Sequence, residues 1–254
     1  MAEGSDVRAM ARSAANSDLD MGAIHWSPEL QKARVYEQIL LDIILGELPP
    51  GGRLDEQTLA RRYSAGLAGV RDALGRLALE GLVIRKARAG TMVSPLDIIE
   101  LRQAYEARTL IEPHCAALAA RHASSEDLAH LSRTFDGAEV AVRARDSRAL
   151  VAMDQRFHAG IAKASRNATL ARILIPLQHK AARFWIYSMG EETDEEQLDE
   201  IRRHVTVIEA VAQGDADSAR AAMLDVLGAF SANMRRAAMG IASGAPRPAP
   251  SVTA

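Results

Sequence analysis

The run Pro49-Pro50-Gly51-Gly52 cannot be crossed by a helix, because proline lacks a backbone donor and clashes with the preceding turn. It divides the segment from about Pro28 to Val93 into short pieces of fixed order. Before it, Val35, Ile39, Ile43 and Ile44 recur at helical spacing, with Leu40 and Leu41 widening the apolar face. After it, Asp55 is placed to cap a short helix carrying Leu59, Ala60 and Tyr63. A tight Ser64-Ala65-Gly66 turn follows, and a third helix carries Val70, Ala73, Leu74 and Leu77 until Gly81 ends it. "LVIRK" and "TMVS" read as two short strands around "ARAG", with Gly90 at the tip of a hairpin. Helix, helix, turn, helix and hairpin, in about 65 residues, is the order of a winged helix-turn-helix.

The stretch 94–241 has another grammar. Punctuation at Ser124-Ser125-Glu126-Asp127, Asp146, Asn167 and Gly214-Asp215 separates one-sided apolar periods, and Thr193 with Glu196 has capping-box spacing. Six helices are predicted, near 96–122, 125–144, 147–164, 168–189, 194–213 and 216–239, with no strand signal. An antiparallel bundle buries so many one-sided helices most economically, so the fold class is mainly α. Residues 1–27 show no sustained period and read as a mobile arm, and 242–254, with Pro246, Pro248 and Pro250, as a disordered tail.

Composition narrows the function classes. Of 254 residues, 48% are hydrophobic, which is ample for a core, and the single cysteine, Cys115, excludes an internal disulfide framework. No apolar run of membrane-spanning length is present, so a soluble, cytoplasmic chain is expected. The net charge of −2 argues against a globally basic nucleic-acid binder. Its distribution differs slightly by block: 28–93 holds ten Lys/Arg against eight Asp/Glu, whereas 94–241 holds 18 against 21.

In a winged helix-turn-helix the third helix lays its N-terminal half in the major groove of a duplex. That helix begins near Leu67 and carries Arg71 one turn in, where a guanidinium can fork onto guanine or phosphate. Arg61 and Arg62 end the preceding helix, and Arg85, Lys86 and Arg88 decorate the hairpin, whose Gly90 permits close approach to a groove. Singly each is an ordinary solvated charge; in this order they outline a DNA-facing surface. The segment "YEQILLDIILGELPPGGRLDEQTLARRYSAGLAGVRDALGRLALEGLVIRKARAGTMVS" also resembles the GntR family of bacterial regulators, on "GELPPGGRL", "LARRY", "VRDALGRLALEGLV" and the wing glycine. The resemblance implies a DNA contact at Arg71. Members usually carry Ser-Arg-Thr-Pro before that valine, and this chain has Gly66-Leu67-Ala68-Gly69. Gly66, Leu67 and Ala68 therefore lie where the family meets DNA, without its arginine and hydroxyls, and altered or weaker specificity is expected.

In the second block, Asp154 and His158 stand four apart, which stacks a carboxylate and an imidazole on one helix face. Arg108 is a candidate clamp for an anionic effector, although Glu112 at i+4 offers it a plain intrahelical partner; Arg102 is a weaker candidate. The seven carboxylates from Glu191 to Glu200 read as solvated charge at a helix start. "IIELRQAYEARTLIEPHCAALAA", "MDQRFHAGIAKASRNATL" and "RRHVTVIEAVAQGDADSARAAM" resemble the FCD effector domain of the family's FadR-type branch. In its metal-binding members, the Asp154 and His158 positions are ligands together with two later histidines. His204 matches the first of these, and Val226 stands where the second is expected. The resemblance thus implies a divalent ion such as Zn2+ on Asp154, His158 and His204, or the same polar groups holding the effector directly. It further implies a homodimeric repressor of metabolic genes that binds a near-palindromic operator and senses a small carboxylate. Two other readings stand beside it: a metal-dependent hydrolase or lyase using those three residues, and a degenerate regulator acting through protein contacts.

Overall fold

The computed structural model describes residues 31–86, 90–189 and 192–243. The arm 1–27, most of the tail, Arg88 and Glu191 lie outside the described residues. The N-terminal head comprises α1 (Gln31–Ile44), α2 (Glu56–Arg62), α3 (Leu67–Leu79), β1 (Val83–Lys86) and β2 (Gly90–Val93). The bundle follows with α4 (Ile98–His122), α5 (Ser125–Ser132), α6 (Ala138–Arg143), α7 (Ser147–Ala164), α8 (Ala168–Met189), α9 (Asp194–Ala212) and α10 (Ala216–Ser243).

The local signals act where the sequence puts them. Asp55 accepts from the Thr58 amide at 2.8 Å, Asp146 caps α7 through the Ala149 amide, and Thr193 with Glu196 forms a reciprocal capping box on α9. The hairpin pairs Val83 with Val93 and Lys86 with Gly90. Gly90, at φ +88°, is therefore the first ladder residue of β2 and not the tip. A third extended stretch lines the sheet: Leu54 donates to Thr91, Val93 to Gly52, and Arg53 bridges Met92.

One predicted helix is two. The period over 125–144 breaks at 133–137, where Thr134 turns its hydroxyl back onto the His130 carbonyl and Gly137 takes φ +79°. Only glycine adopts that conformation without strain, so among the described residues the bundle has seven helices where six were expected.

The head does not hang on a slack tether. Val35, Tyr36, Ile39, Leu40, Leu41, Ile43 and Ile44 of α1 are all buried, in one core with Val70, Leu74 and Leu77 of α3 and with Val142, Leu150, Val151 and Ala182 of the bundle. The widened apolar face of α1 thus has two partners, the head on one side and α7 and α8 on the other. A second core, with Phe157, Ile161, Leu174, Val207, Val211 and Leu227, fills the rest of the bundle.

Candidate functional site

Two surfaces collect the residues singled out above. On the head, the N-terminal end of α3 faces solvent: Gly66, Leu67 and Ala68 are exposed, and the Arg71 side chain is 63% accessible. Arg71 Nε donates to Glu56 Oε2 at 2.6 Å, which steers the guanidinium and leaves its terminal nitrogens without a partner among the described residues. Arg61 is exposed beside it, with one bond to Thr58. Arg85 folds back: its Nη2 donates to the Arg71 carbonyl at 3.0 Å and braces the wing against α3. Arg62 is likewise committed. It pairs with Asp42 and, at 2.7 Å, with Glu47, while Arg148 of α7 pairs with the same two carboxylates. Tyr63 adds a hydroxyl to Asp42 at 2.6 Å. This cluster ties α2 to the end of α1 and both to the bundle.

The second surface is a small cavity inside the bundle, lined by Arg108, Asp154, Gln155, His158, Gln178, Ala182, Trp185, Glu200, His204, Val226 and Leu227. A neighbouring small pocket shares Asp154, Trp185, Glu200 and His204 and adds Phe135, Leu150 and Ile201. α7 delivers Asp154 and His158 one turn apart, and α9 delivers His204 across from them. One ligand atom from each of these three residues lies within 4.8 Å of the others. Asp154 Oδ1 is 3.4 Å from His158 Nε2 and 3.5 Å from His204 Nε2.

The surrounding groups leave His204 Nε2 free at that centre, while His158 Nε2 lies 3.5 Å from Arg108 Nη2 and 3.4 Å from Asp154 Oδ1. His204 Nδ1 donates to the Glu200 carbonyl at 2.7 Å, which puts the lone pair on the buried Nε2, an atom without a hydrogen bond among the described residues. His158 Nδ1 is in contact with the Glu112 carboxylate, so its Nε2 also points inward. Gln155 holds the other Asp154 oxygen at 2.9 Å. Phe157 meets both imidazoles edge-on, with centroids at 4.9 and 4.7 Å, and fixes the rings. Two imidazoles whose outer nitrogens are held and whose inner nitrogens converge on a carboxylate form a donor set suited to a divalent cation that displaces the proton from His158 Nε2.

Charge is balanced tightly here. Glu112 is fully buried, yet Arg108 and His158 outweigh the desolvation that would raise it and bring it down to about 2. Burial opposes charge on His158, but Glu112 and Asp154 hold its proton and push it up to about 9. Asp154, partly buried with the two imidazoles on it, lies far below the carboxylate range. Glu200 is raised by burial first, with His204 pulling the other way.

Arg108 reaches the cavity and is also paired with Glu112, at 2.9 Å. Arg102 does not come to it: the side chain is largely exposed and faces Glu106 at 3.7 Å. Val226 does line it, so the position expected for a further histidine is in place with an apolar side chain. His179 pairs instead with Glu80 at 3.3 Å, and His114, His122 and His130 are exposed. Sequence reasoning missed Gln178, which donates to Glu112 at 2.8 Å across 66 residues, and missed the Asp42–Glu47–Arg148 cluster. For the latter a signal existed: Asp42 interrupts the apolar run of α1, and a buried carboxylate there demands a cation.

Residues 31–93 match the family described as bacterial regulatory proteins, gntR family, and residues 103–229 match the FCD domain. Among curated relatives, a gluconate operon transcriptional repressor of Bacillus licheniformis is 27% identical over 187 residues, covering 72% of this chain and 76% of that protein. A galactonate operon transcriptional repressor of Escherichia coli is 25% identical over 206 residues, covering 73% and 88%. Among solved structures, E. coli McbR/YncC superposes with a TM-score of 0.70 at 20% identity, over 82% of this chain and 98% of that one.

Proposed function

The chain belongs to the gntR family of bacterial regulatory proteins and carries that family's FCD domain, and on this footing we propose how it works as a ligand-responsive DNA-binding regulator. As a homodimer it sets two heads on a near-palindromic operator, represses metabolic genes, and changes its grip when a small carboxylate enters the FCD cavity. The convergence of Asp154, His158 and His204 in that cavity, with Arg108 beside them, carries the reading. These three residues would hold a divalent cation, which when bound supplies a positive anchor for a carboxylate. Around it, Glu112 and the Glu200 carbonyl orient the imidazoles, Gln155 holds Asp154, and Trp185 and Leu227 supply apolar lining. On the head, Arg71, steered by Glu56, makes the principal contact, with Arg61, Gly66, Leu67, Ala68 and Gly90 against the duplex. The relatives named as repressors of sugar-acid operons favour a carboxylate as ligand and repression as sign. A separate DNA-type head favours this over a hydrolase or lyase, which has no use for one.

Gel-shift titration of full-length protein against its own upstream region, with salt varied, tests the reading. Specific binding that falls linearly in log salt and is lost in Arg71→Ala supports it. Zinc analysis of the purified protein and a thermal-shift screen of carboxylates test the cavity: a carboxylate at 100 times its Kd adds about 2.7 kcal/mol. Turnover of any carboxylate, or a chain that shifts no genomic fragment, would overturn it.

A further inference from the structure

The tip of α3 is chemically sparse. Gly66 and Gly69 have nothing within 4 Å of where a Cβ would sit, Ala68 is exposed, and no side chain caps the helix. Among the first four residues from Gly66, only Leu67 carries a side chain of any size, and it is 40% exposed. Arg71 follows at i+4, so Leu67 and Arg71 stack on one helix face, about 6 Å apart along the axis. Glu56 occupies the Nε edge of Arg71, whose side chain is otherwise 63% accessible. The face therefore presents an apolar knob and, one turn on, a forked cation.

The major groove offers few matches for that pair. Guanine shows two acceptors to a fork, and the one apolar feature on any base edge is the C5 methyl of thymine. A spacing of about 6 Å corresponds to roughly two base-pair steps. We propose that Leu67 is a specificity-determining residue that packs on a thymine methyl within about two base pairs of the guanine taken by Arg71. The inference rests on the regulator reading and adds to it the base chemistry of the operator. It makes the loss of arginine and hydroxyls before Val70 a change of preference toward a methyl-bearing base, and not a loss of reading.

The experiment uses full-length protein and duplexes that it enriches from a randomised library, with each selected thymine replaced in turn by deoxyuridine, which removes only the methyl. One thymine per half-site should lose about fourfold in affinity, the worth of one buried methyl-sized group. Leu67→Ala, a truncation at an exposed position, should weaken binding by a similar factor and abolish the deoxyuridine penalty, while Arg71→Ala weakens every duplex. Wild-type indifference to deoxyuridine at every thymine overturns the inference, as does a full penalty persisting in Leu67→Ala. If duplexes are enriched and Arg71→Ala loses them, but deoxyuridine is neutral, only the role of Leu67 falls. If no duplex is enriched, the regulator reading falls and takes this inference with it.

Discussion

Glu112→Gln separates what holds the cavity together from what fills it. Glu112 is 0% exposed and Arg108 is 5% exposed, joined at 2.9 Å, with Gln178 on the other carboxylate oxygen at 2.8 Å and His158 in contact with it. Glutamine keeps the volume but leaves the Arg108 guanidinium buried without its counter-charge. It also turns an NH2 group toward one of three groups that now donate. Stranding one member of a buried ion pair costs about 3–5 kcal/mol. In a chain of this size each kcal/mol moves the Tm by about 2–4 °C, so a fall of roughly 6–20 °C is expected by calorimetry. His158 loses the group that orients its ring, and removal of such an outer partner lowers metal affinity about 10–100-fold. Competition against a chromogenic zinc chelator measures this on the folded variant below its new Tm. A variant that melts within about 2 °C of wild type and binds zinc as tightly would refute both the ion-pair argument and the orienting role.

Three further outcomes follow from named contacts. Arg148 is 43% exposed but its partner Asp42 only 4%, so Arg148→Ala should cost about 1.5–3 kcal/mol of stability, while shrinking the change in DNA affinity that an identified carboxylate produces in gel-shift titrations. Full retention of that change would show that the head is not addressed through this cluster. Val226→His should tighten zinc binding in the chelator assay by at least the ~10-fold that an outer partner is worth, because the residue lines the cavity beside the other three; unchanged affinity would mean that the fourth position is elsewhere. Glu80 is lowered despite burial by His179, Tyr36 and Arg76, so its stabilisation is present above the ordinary carboxylate value, ~4.3, and lost as pH falls below it. Acid melts of Glu80→Gln should be flatter than wild type below that pH, and parallel curves would contradict this.

What was legible in the sequence was local. Asp55, Asp146 and Thr193 announce helix starts because a cap needs only its own next three residues. Asp154 and His158 share a face because a helix fixes i and i+4. His204 was reached through family resemblance alone, since the 45 residues between it and His158 carry no geometric information about where α9 lies against α7. Glu112 looked like a routine partner for Arg108, and only the packing of α4 on α7 and α8 turns it into the group on which Arg108, His158 and Gln178 converge. Arg62 was placed on the DNA side by its position at the end of α2; the structure spends it on Asp42 and Glu47, two carboxylates that α1 and the turn after it bring from 20 and 15 residues upstream. The break at Gly137 was masked because apolar residues continue on both sides of it, and periodicity registers composition before it registers a φ of +79°.

A regulator whose head shares a core with its sensing bundle cannot respond by swinging freely; it needs a second packing of the same surfaces. α7 is the element placed to choose between them. Arg148 sits in its first turn, in the cluster with Asp42 and Glu47, and Asp154 follows six residues on, about 9 Å along a helix that is stiff on its axis. A ligand that pulled on Asp154 and His158 would therefore load the joint that also holds Arg62 at the end of α2. The coupling required is modest, since 1–3 kcal/mol gives a response of about 5–150-fold, and making or losing one charged hydrogen bond is worth about 1.5–3 kcal/mol. One such bond at the Asp42–Glu47 joint, formed in one packing and absent in the other, is enough, provided that the ligand distinguishes the two packings by at least as much.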